Sequence, residues 1–114
     1  MTVLDFEAHV ERAVASLPAD LRAAMSNVEI VVEDEHPDDP DLFGLYLGIP
    51  LVDRTSTGYQ GVLPDKIAIY RRPLEEEFGD DPDVLEDEIR ITVLHEIAPH
   101  FGLDEDRLTD LGWG

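Results

Sequence analysis

The chain has 114 residues, with 27 aspartates and glutamates against 8 lysines and arginines, and its formal net charge at pH 7 is −19. This length suffices for one domain and not for two, so we expect a single domain over residues 1–114. A surface this negative repels phosphate backbones and anionic membranes, which excludes nucleic acid and membrane as partners and favours cationic peptides. Solubility is the commoner role of such charge.

The lack of cysteine and the sequence of the N-terminus exclude further kinds of site and cellular location. The chain has no cysteine, so disulfides and cysteine-ligated zinc sites are excluded. Residues 1–7 lack a basic region followed by an apolar run, and the longest uncharged run, 43–52, is too short to span a bilayer. We therefore expect a cytoplasmic protein.

The N-terminal half of the sequence predicts two helices followed by two strands. Thr2 is a suitable N-cap for the first helix, whose apolar residues recur on one stripe, and Pro18 suits the start of the second. β-Branched residues predict the first strand, and an acidic turn with two prolines separates it from the next. The expected elements are helices over 2–17 and 18–25 and strands over 28–32 and 42–47.

The C-terminal half predicts a strand, the longest helix of the chain and a short last helix. Asp81 followed by Pro82 is a strong start for the long helix, and Gly102 is a typical stop. Asp104 can cap the last helix. The expected elements are a loop over 48–61, a strand over 66–71, and helices over 82–98 and 104–111.

The long helix has an apolar face and a polar face. At about 100° per residue, Val93, Leu94 and Ile97 share the side expected to face the core. His95 and Glu96 lie on the opposite side. That polar side is either a solvated surface or the floor of a cleft.

Residues 92–102 nearly match a zinc-peptidase motif. In the pattern His-Glu-x-x-His, two imidazoles four residues apart share a metal on one helical face, and the glutamate takes a proton from the metal-bound water. Here His95 and Glu96 are in place, but Pro99 occupies the second ligand position and a histidine follows one residue late, at His100.

The displaced histidine does not fit a regular helix. His100 lies about 140° around the helix from His95, whereas position 99 lies about 40° away. Pro99 also removes a hydrogen bond and crowds the carbonyl of His95, so we expect the helix to kink or end near Ala98. A widened turn of five residues would bring His100 towards His95.

A third ligand would have to come from the few residues after Gly102. Glu105 is six residues beyond Pro99, a spacing used where a glycine turn brings a third ligand back to the metal. Asp104 and Asp106 are neighbouring alternatives. Acidic residues are so abundant in this chain that one at this spacing is expected by chance.

Several collinear segments resemble the minimal zincin-like metalloprotease family, whose members are single small domains of about this length. The family pattern at the helix is His-Glu-x-x-His-His-Phe-Gly followed by acidic residues, and this chain keeps the second of the adjacent histidines and replaces the first by Pro99. The resemblance covers most of the chain and includes residues 31–37, 45–51, 63–67, 69–71, 95–98, 100–102, 107–108 and 111–113.

This resemblance implies an α+β, zincin-like single domain with a small sheet packed on the central motif-bearing helix. It implies zinc as the cofactor, Glu96 as the general base, and a metal site at His95 with an acidic third ligand at or near Glu105 or Asp106. With His100 recruited in place of position 99, the expected metal ligands are His95, His100 and Glu105.

Two functions are compatible with these features. The first is a zinc-dependent metallopeptidase that hydrolyses peptide bonds of a peptide or protein substrate, of cationic character, through a metal-activated water, with activity impaired by the loss of one histidine ligand. The alternative is a catalytically inactive zincin-fold protein that acts as a binding or regulatory domain.

Overall fold

The computed structural model describes residues 2–48 and 64–112, which form five helices and three strands. The helices are α1 (Val3–Ala15), α2 (Ala19–Ala24), α3 (Arg71–Phe78), α4 (Pro82–Phe101) and α5 (Glu105–Asp110). The strands are β1 (Val28–Glu33), β2 (Gly44–Leu47) and β3 (Asp65–Tyr70). Most of the predicted loop over 48–61 lies outside the described residues.

The three strands form one mixed sheet in the order β1–β3–β2. β1 runs parallel to β3, with Val28 opposite Asp65, and β2 runs antiparallel to β3, with Gly44 opposite Ile69. The apolar central strand β3 is accordingly the most buried, and Ile67 and Ile69 are fully enclosed. Helices with a small mixed sheet confirm the predicted α+β class.

The core forms where α4 crosses the sheet and packs against α1. Val93, Leu94 and Ile97 are fully buried, which confirms the predicted apolar face of the long helix. Phe6 of α1 and Leu74 of α3 join the same cluster. Burial of this face stabilises α4 more than its intrinsic propensity does, because most helical stability in proteins comes from tertiary packing.

Side-chain caps fix the starts of the helices where the sequence predicted them. Thr2 forms a capping box with Asp5 at α1, and the carboxylate of Asp81 accepts from the amides of Asp83 and Val84 at α4. Asp104 accepts from the Arg107 amide at α5 in the same way. These caps satisfy amides that have no partner inside a helix.

The prediction that the long helix would end near Ala98 is wrong, whereas the predicted stop at Gly102 is confirmed. α4 continues through Pro99 to Phe101, and Gly102 follows in the left-handed conformation with φ 67°. The amides of Gly102 and Leu103 both donate to the Ala98 carbonyl and close the helix. Pro99 has no amide hydrogen and so removes one helical hydrogen bond, while the amides of Gly102 and Leu103 still close the helix beyond it.

The strand predicted over 66–71 is also too long by one residue, because Arg71 begins α3, a helix that the sequence did not predict. Its third residue is Pro73, and proline is tolerated in the first turn of a helix because amides there have no helical partner. The Arg71 guanidinium also donates to Glu75 one turn later, at 2.8 Å. None of the helices in the described residues has the length and apolar character needed to cross a membrane.

Candidate functional site

The polar face of α4 meets the outer edge of β2. The amide of Tyr70 donates to the Phe43 carbonyl across the antiparallel pair, so alternate residues from Phe43 direct their backbone groups towards β3. The amide of Tyr46 therefore points away from β3, and it donates to Oε1 of Glu96 at 2.9 Å. Glu96, the predicted general base, thus accepts a hydrogen bond from a backbone amide on the edge of the sheet.

A glycine allows the strand to approach the helix this closely. A Cβ atom added at Gly44 would lie 2.7 Å from Cγ2 of Thr92 and 3.2 Å from the Ala68 carbonyl oxygen. Thr92 is buried, and its hydroxyl donates to the Glu88 carbonyl at 2.8 Å, which fixes the orientation of its methyl group. Only glycine at position 44 lets β2 pack on α4 without displacing one of these groups.

A groove of about 290 Å³ lies between α4 and the segment that leads into β2. Asp39 and Asp41 line one side, while His95 and Glu96 line the helix side. The structure therefore places the adjacent His95 and Glu96 at the floor of a cleft, which is one of the two alternatives that the sequence left open. Three of the described lining residues, Asp39, Asp41 and Glu96, carry carboxylates, which give this lining a negative charge.

Desolvation acts on the imidazole of His95. It lowers the pKa of His95 below its ordinary value, because loss of solvent disfavours the charged form. The shift favours the neutral imidazole, which is the form that binds metals.

His100 faces a different partner from the one predicted. Its ring stacks on Tyr46 with 3.8 Å between ring centroids and an interplanar angle of 16°. The Tyr46 hydroxyl donates to the Asp65 carboxylate at 2.7 Å, which ties this stack to β3. His100 lies four residues after Glu96 and shares its helical face, so α4 presents His100 to β2 rather than to the face of His95.

The acidic candidates after the helix lie on α5. Glu105 and Asp106 are exposed in its first turn, and one carboxylate oxygen of Asp104 accepts from the Arg107 amide at 2.8 Å. Residues 2–48 and 64–112 contain no group of three histidine, aspartate or glutamate side chains that could hold a metal ion. The predicted ligands His95, His100 and Glu105 are therefore not brought together in the described structure.

The donor set can be compared with what zinc requires. A catalytic zinc usually has three protein ligands in a tetrahedral arrangement. Pro99 lies where the family has an imidazole, and its side chain carries no donor atom. The described residues do not fit a three-ligand zinc centre of the usual kind.

The sequence did not predict the residues that β2 and the segment before it, residues 39–43, contribute to the site. Tyr46 contacts Glu96 through its amide and His100 through its ring, and its hydroxyl donates to Asp65 of β3. The sequence indicates Asp39 and Asp41 only as part of an acidic turn. The alternation of β2 predicts which of its backbone groups face outward, but it does not indicate that α4 lies beneath them.

The comparisons with known proteins agree with the architecture. The family model described as zincin-like metallopeptidase matches residues 25–113. A solved structure of a conserved hypothetical protein from Thermus thermophilus is similar to this chain, with 26% sequence identity and a TM-score of 0.57. That match covers 89% of this chain and 94% of the other. No curated protein matches the chain.

Proposed function

Since the chain belongs to the zincin-like metallopeptidase family, we propose that it binds an extended cationic peptide in the groove above α4, with zinc-dependent hydrolysis impaired. The observation that carries this proposal is Pro99, which stands four residues after His95 on a continuous helix. Because proline has no side-chain donor, the i, i+4 imidazole pair of the family is absent.

The charge of the groove favours a basic ligand. Asp39, Asp41 and Glu96 contribute three carboxylates to the described lining of the groove. One Asp39 oxygen accepts from the Asp41 amide, which leaves the second oxygen for a ligand. A lysine or arginine side chain entering here would meet carboxylates for which the described lining residues provide no cation.

The edge of β2 favours an extended ligand. The alternation that turns the Tyr46 amide outward also turns the backbone of Gly44 outward. A peptide strand can pair with that backbone, as in other cases of strand addition to a sheet edge. Glu96 then acts as a positioning residue, because its bond to the Tyr46 amide holds β2 on α4.

Zinc-dependent peptide hydrolysis is the second candidate, and the retained pair of His95 and Glu96 favours it. In the family these residues are a metal ligand and the general base for the metal-bound water. This candidate requires further donors from His100 and Glu105. For that, His100 has to leave its stacked position on Tyr46.

Binding and cleavage of one fluorescent lysine-rich peptide, measured with added zinc, test the proposal. We expect the starting protein to bind the peptide without cleaving it. Asp39→Asn with Asp41→Asn should weaken binding about fivefold, since exposed ion pairs each contribute roughly 0.2–1 kcal/mol. Glu76→Gln with Glu77→Gln, exposed on α3, changes the net charge equally and should alter affinity less than about twofold.

Two outcomes contradict this assignment. Equal weakening by both double variants would show that net charge, not the groove, attracts the peptide. Cleavage by the starting protein that is lost in Glu96→Gln would establish the second candidate, because an amide cannot accept a proton from water.

A further inference from the structure

A second groove runs along the outer edge of β1, on the side of the sheet opposite β2. It has a volume of about 570 Å³ and lies between β1 and α1. In the order β1–β3–β2, β1 is an outer strand of the described sheet. This groove shares no lining residue with the groove at His95 and Glu96.

The backbone of β1 presents a regular pairing edge to this groove. The Asp65 amide donates to the Asn27 carbonyl, so odd-numbered residues of this segment direct their backbone groups towards β3. The amide of Val28 points the other way and is already taken by the Met25 carbonyl. Ile30 and Val32 therefore direct their amides and carbonyls into the groove, where the described residues provide no backbone partner.

The groove walls combine apolar surface with a negative rim. Val10 and Val14 of α1 and the half-buried Ile30 and Val32 of β1 form the apolar part. Glu7 and Glu11 of α1 are exposed at the groove, one helical turn apart.

One basic residue also lines the groove. Arg22 donates through its Nε to the Leu17 carbonyl at 3.1 Å, which ties its side chain to the end of α1. Because the two carboxylates outnumber this single cation among the described lining residues, the groove remains negative.

We propose that an extended segment of a cationic partner protein docks here by adding a strand to β1. Its backbone pairs with Ile30 and Val32, its apolar side chains enter the groove beside α1, and its lysines or arginines face Glu7 and Glu11. Strand addition of this kind takes affinity from main-chain hydrogen bonds and specificity from alternate side chains.

A second copy of this chain is a poor occupant of the same edge. Antiparallel pairing of two β1 strands about Val31 would place Glu29 of each copy opposite Glu33 of the other, and both side chains are exposed on the same face. Each copy also carries a formal net charge of −19, so approach is opposed at long range. Charge complementarity selects a basic partner.

The test uses the full chain and a fluorescent peptide in which valine and lysine take turns at every second position, separated by threonines, so that both face α1. Nuclear magnetic resonance should show the largest peptide-induced shifts at the amides of Ile30 and Val32. Two versions of the peptide, N-methylated either at the threonines or at the valines and lysines, each lack amide donors along one edge, and the version whose blocked edge faces β1 should bind about tenfold more weakly. This control leaves the protein unaltered, so a folding defect cannot imitate the result.

Protein variants then test the rim. Glu7→Gln with Glu11→Gln should weaken binding about fivefold, and the matched Glu76→Gln with Glu77→Gln should change it less than about twofold. The proposal is overturned if both N-methylated peptides bind as well as the unmodified one, if both double variants weaken binding equally, or if the amides of Ile30 and Val32 show no shift. It is also overturned if the peptide does not bind.

Discussion

Replacing Pro99 by alanine should stabilise the protein, although proline usually stabilises a chain by restricting its unfolded state. Pro99 is exposed, so its removal costs no core packing. Its ring crowds the carbonyl of His95 and leaves that carbonyl without its helical donor, at a cost of ~3 kcal/mol in a helix interior. In the last turn, where Gly102 and Leu103 still close the helix, we take this cost as about 2 kcal/mol.

Proline also stabilises the protein by restricting the unfolded chain, but this effect is smaller than its cost in the helix. Alanine at position 99 enlarges the conformational freedom of the unfolded chain and thereby costs about 0.4–1 kcal/mol. The difference predicts that Pro99→Ala raises the free energy of unfolding by about 1 kcal/mol.

The same helix contains a matched control. Pro82 is exposed at the first position of α4, where its missing amide has no helical partner and Asp81 caps the next two amides. Only the restriction of the unfolded chain by proline then remains, so Pro82→Ala should lower the free energy of unfolding by about 0.4–1 kcal/mol. Urea unfolding followed by far-ultraviolet circular dichroism measures both changes. Equal signs for the two substitutions, or a loss of stability in Pro99→Ala, would refute this reasoning.

Two further predictions concern the contacts of α4. Nδ1 of His9 and Nε of Arg12 lie 2.9 and 2.7 Å from the Glu86 carboxylate, and these contacts, led by the one from His9, lower the pKa of Glu86. Glu86→Gln should therefore lower the free energy of unfolding by about 1 kcal/mol at pH 7, measured by urea titration. The carboxylate of Glu86 stabilises the native state only when it is ionised. The difference between the two proteins should therefore disappear as the pH falls from about 4.3, the ordinary pKa of glutamate, through the lowered pKa of Glu86 in the native state. Gly44→Ala should cost about 1–3 kcal/mol in the same assay because its new methyl meets the methyl of Thr92, and Thr92→Ser should recover part of that loss; no recovery would mean that the clash lies elsewhere.

Much of the fold is determined by interactions between residues close in the sequence, and these parts could be predicted. The caps at Thr2, Asp81 and Asp104 lie at the predicted helix starts, because an N-cap depends on residues only two or three positions away. The buried face of α4 follows from helical periodicity. The stop at Gly102 is also local and is confirmed, whereas the end expected near Ala98 is wrong, because tertiary packing of Ile97 and the Gly102 cap outweigh the local cost of Pro99.

Only part of the candidate site could be predicted from the sequence. Periodicity indicates that His95 and Glu96 share a polar face, and the structure places both at a groove. The contact from Tyr46 to Glu96 joins residues fifty positions apart, so no local pattern reveals it. The same holds for the stacking of His100 on Tyr46, which determines the direction that this imidazole faces.

Calorimetric zinc titration of the starting protein, Pro99→Ala and Pro99→His tests most directly whether Pro99 impairs the metal site. The alanine variant removes the proline from the helix without adding a donor, so it separates helix repair from ligand restoration. We predict that Pro99→His, which restores an imidazole four residues after His95, binds zinc at least about tenfold more tightly than Pro99→Ala. Equal zinc affinity in all three proteins would contradict the account, because the metal would then be held without position 99.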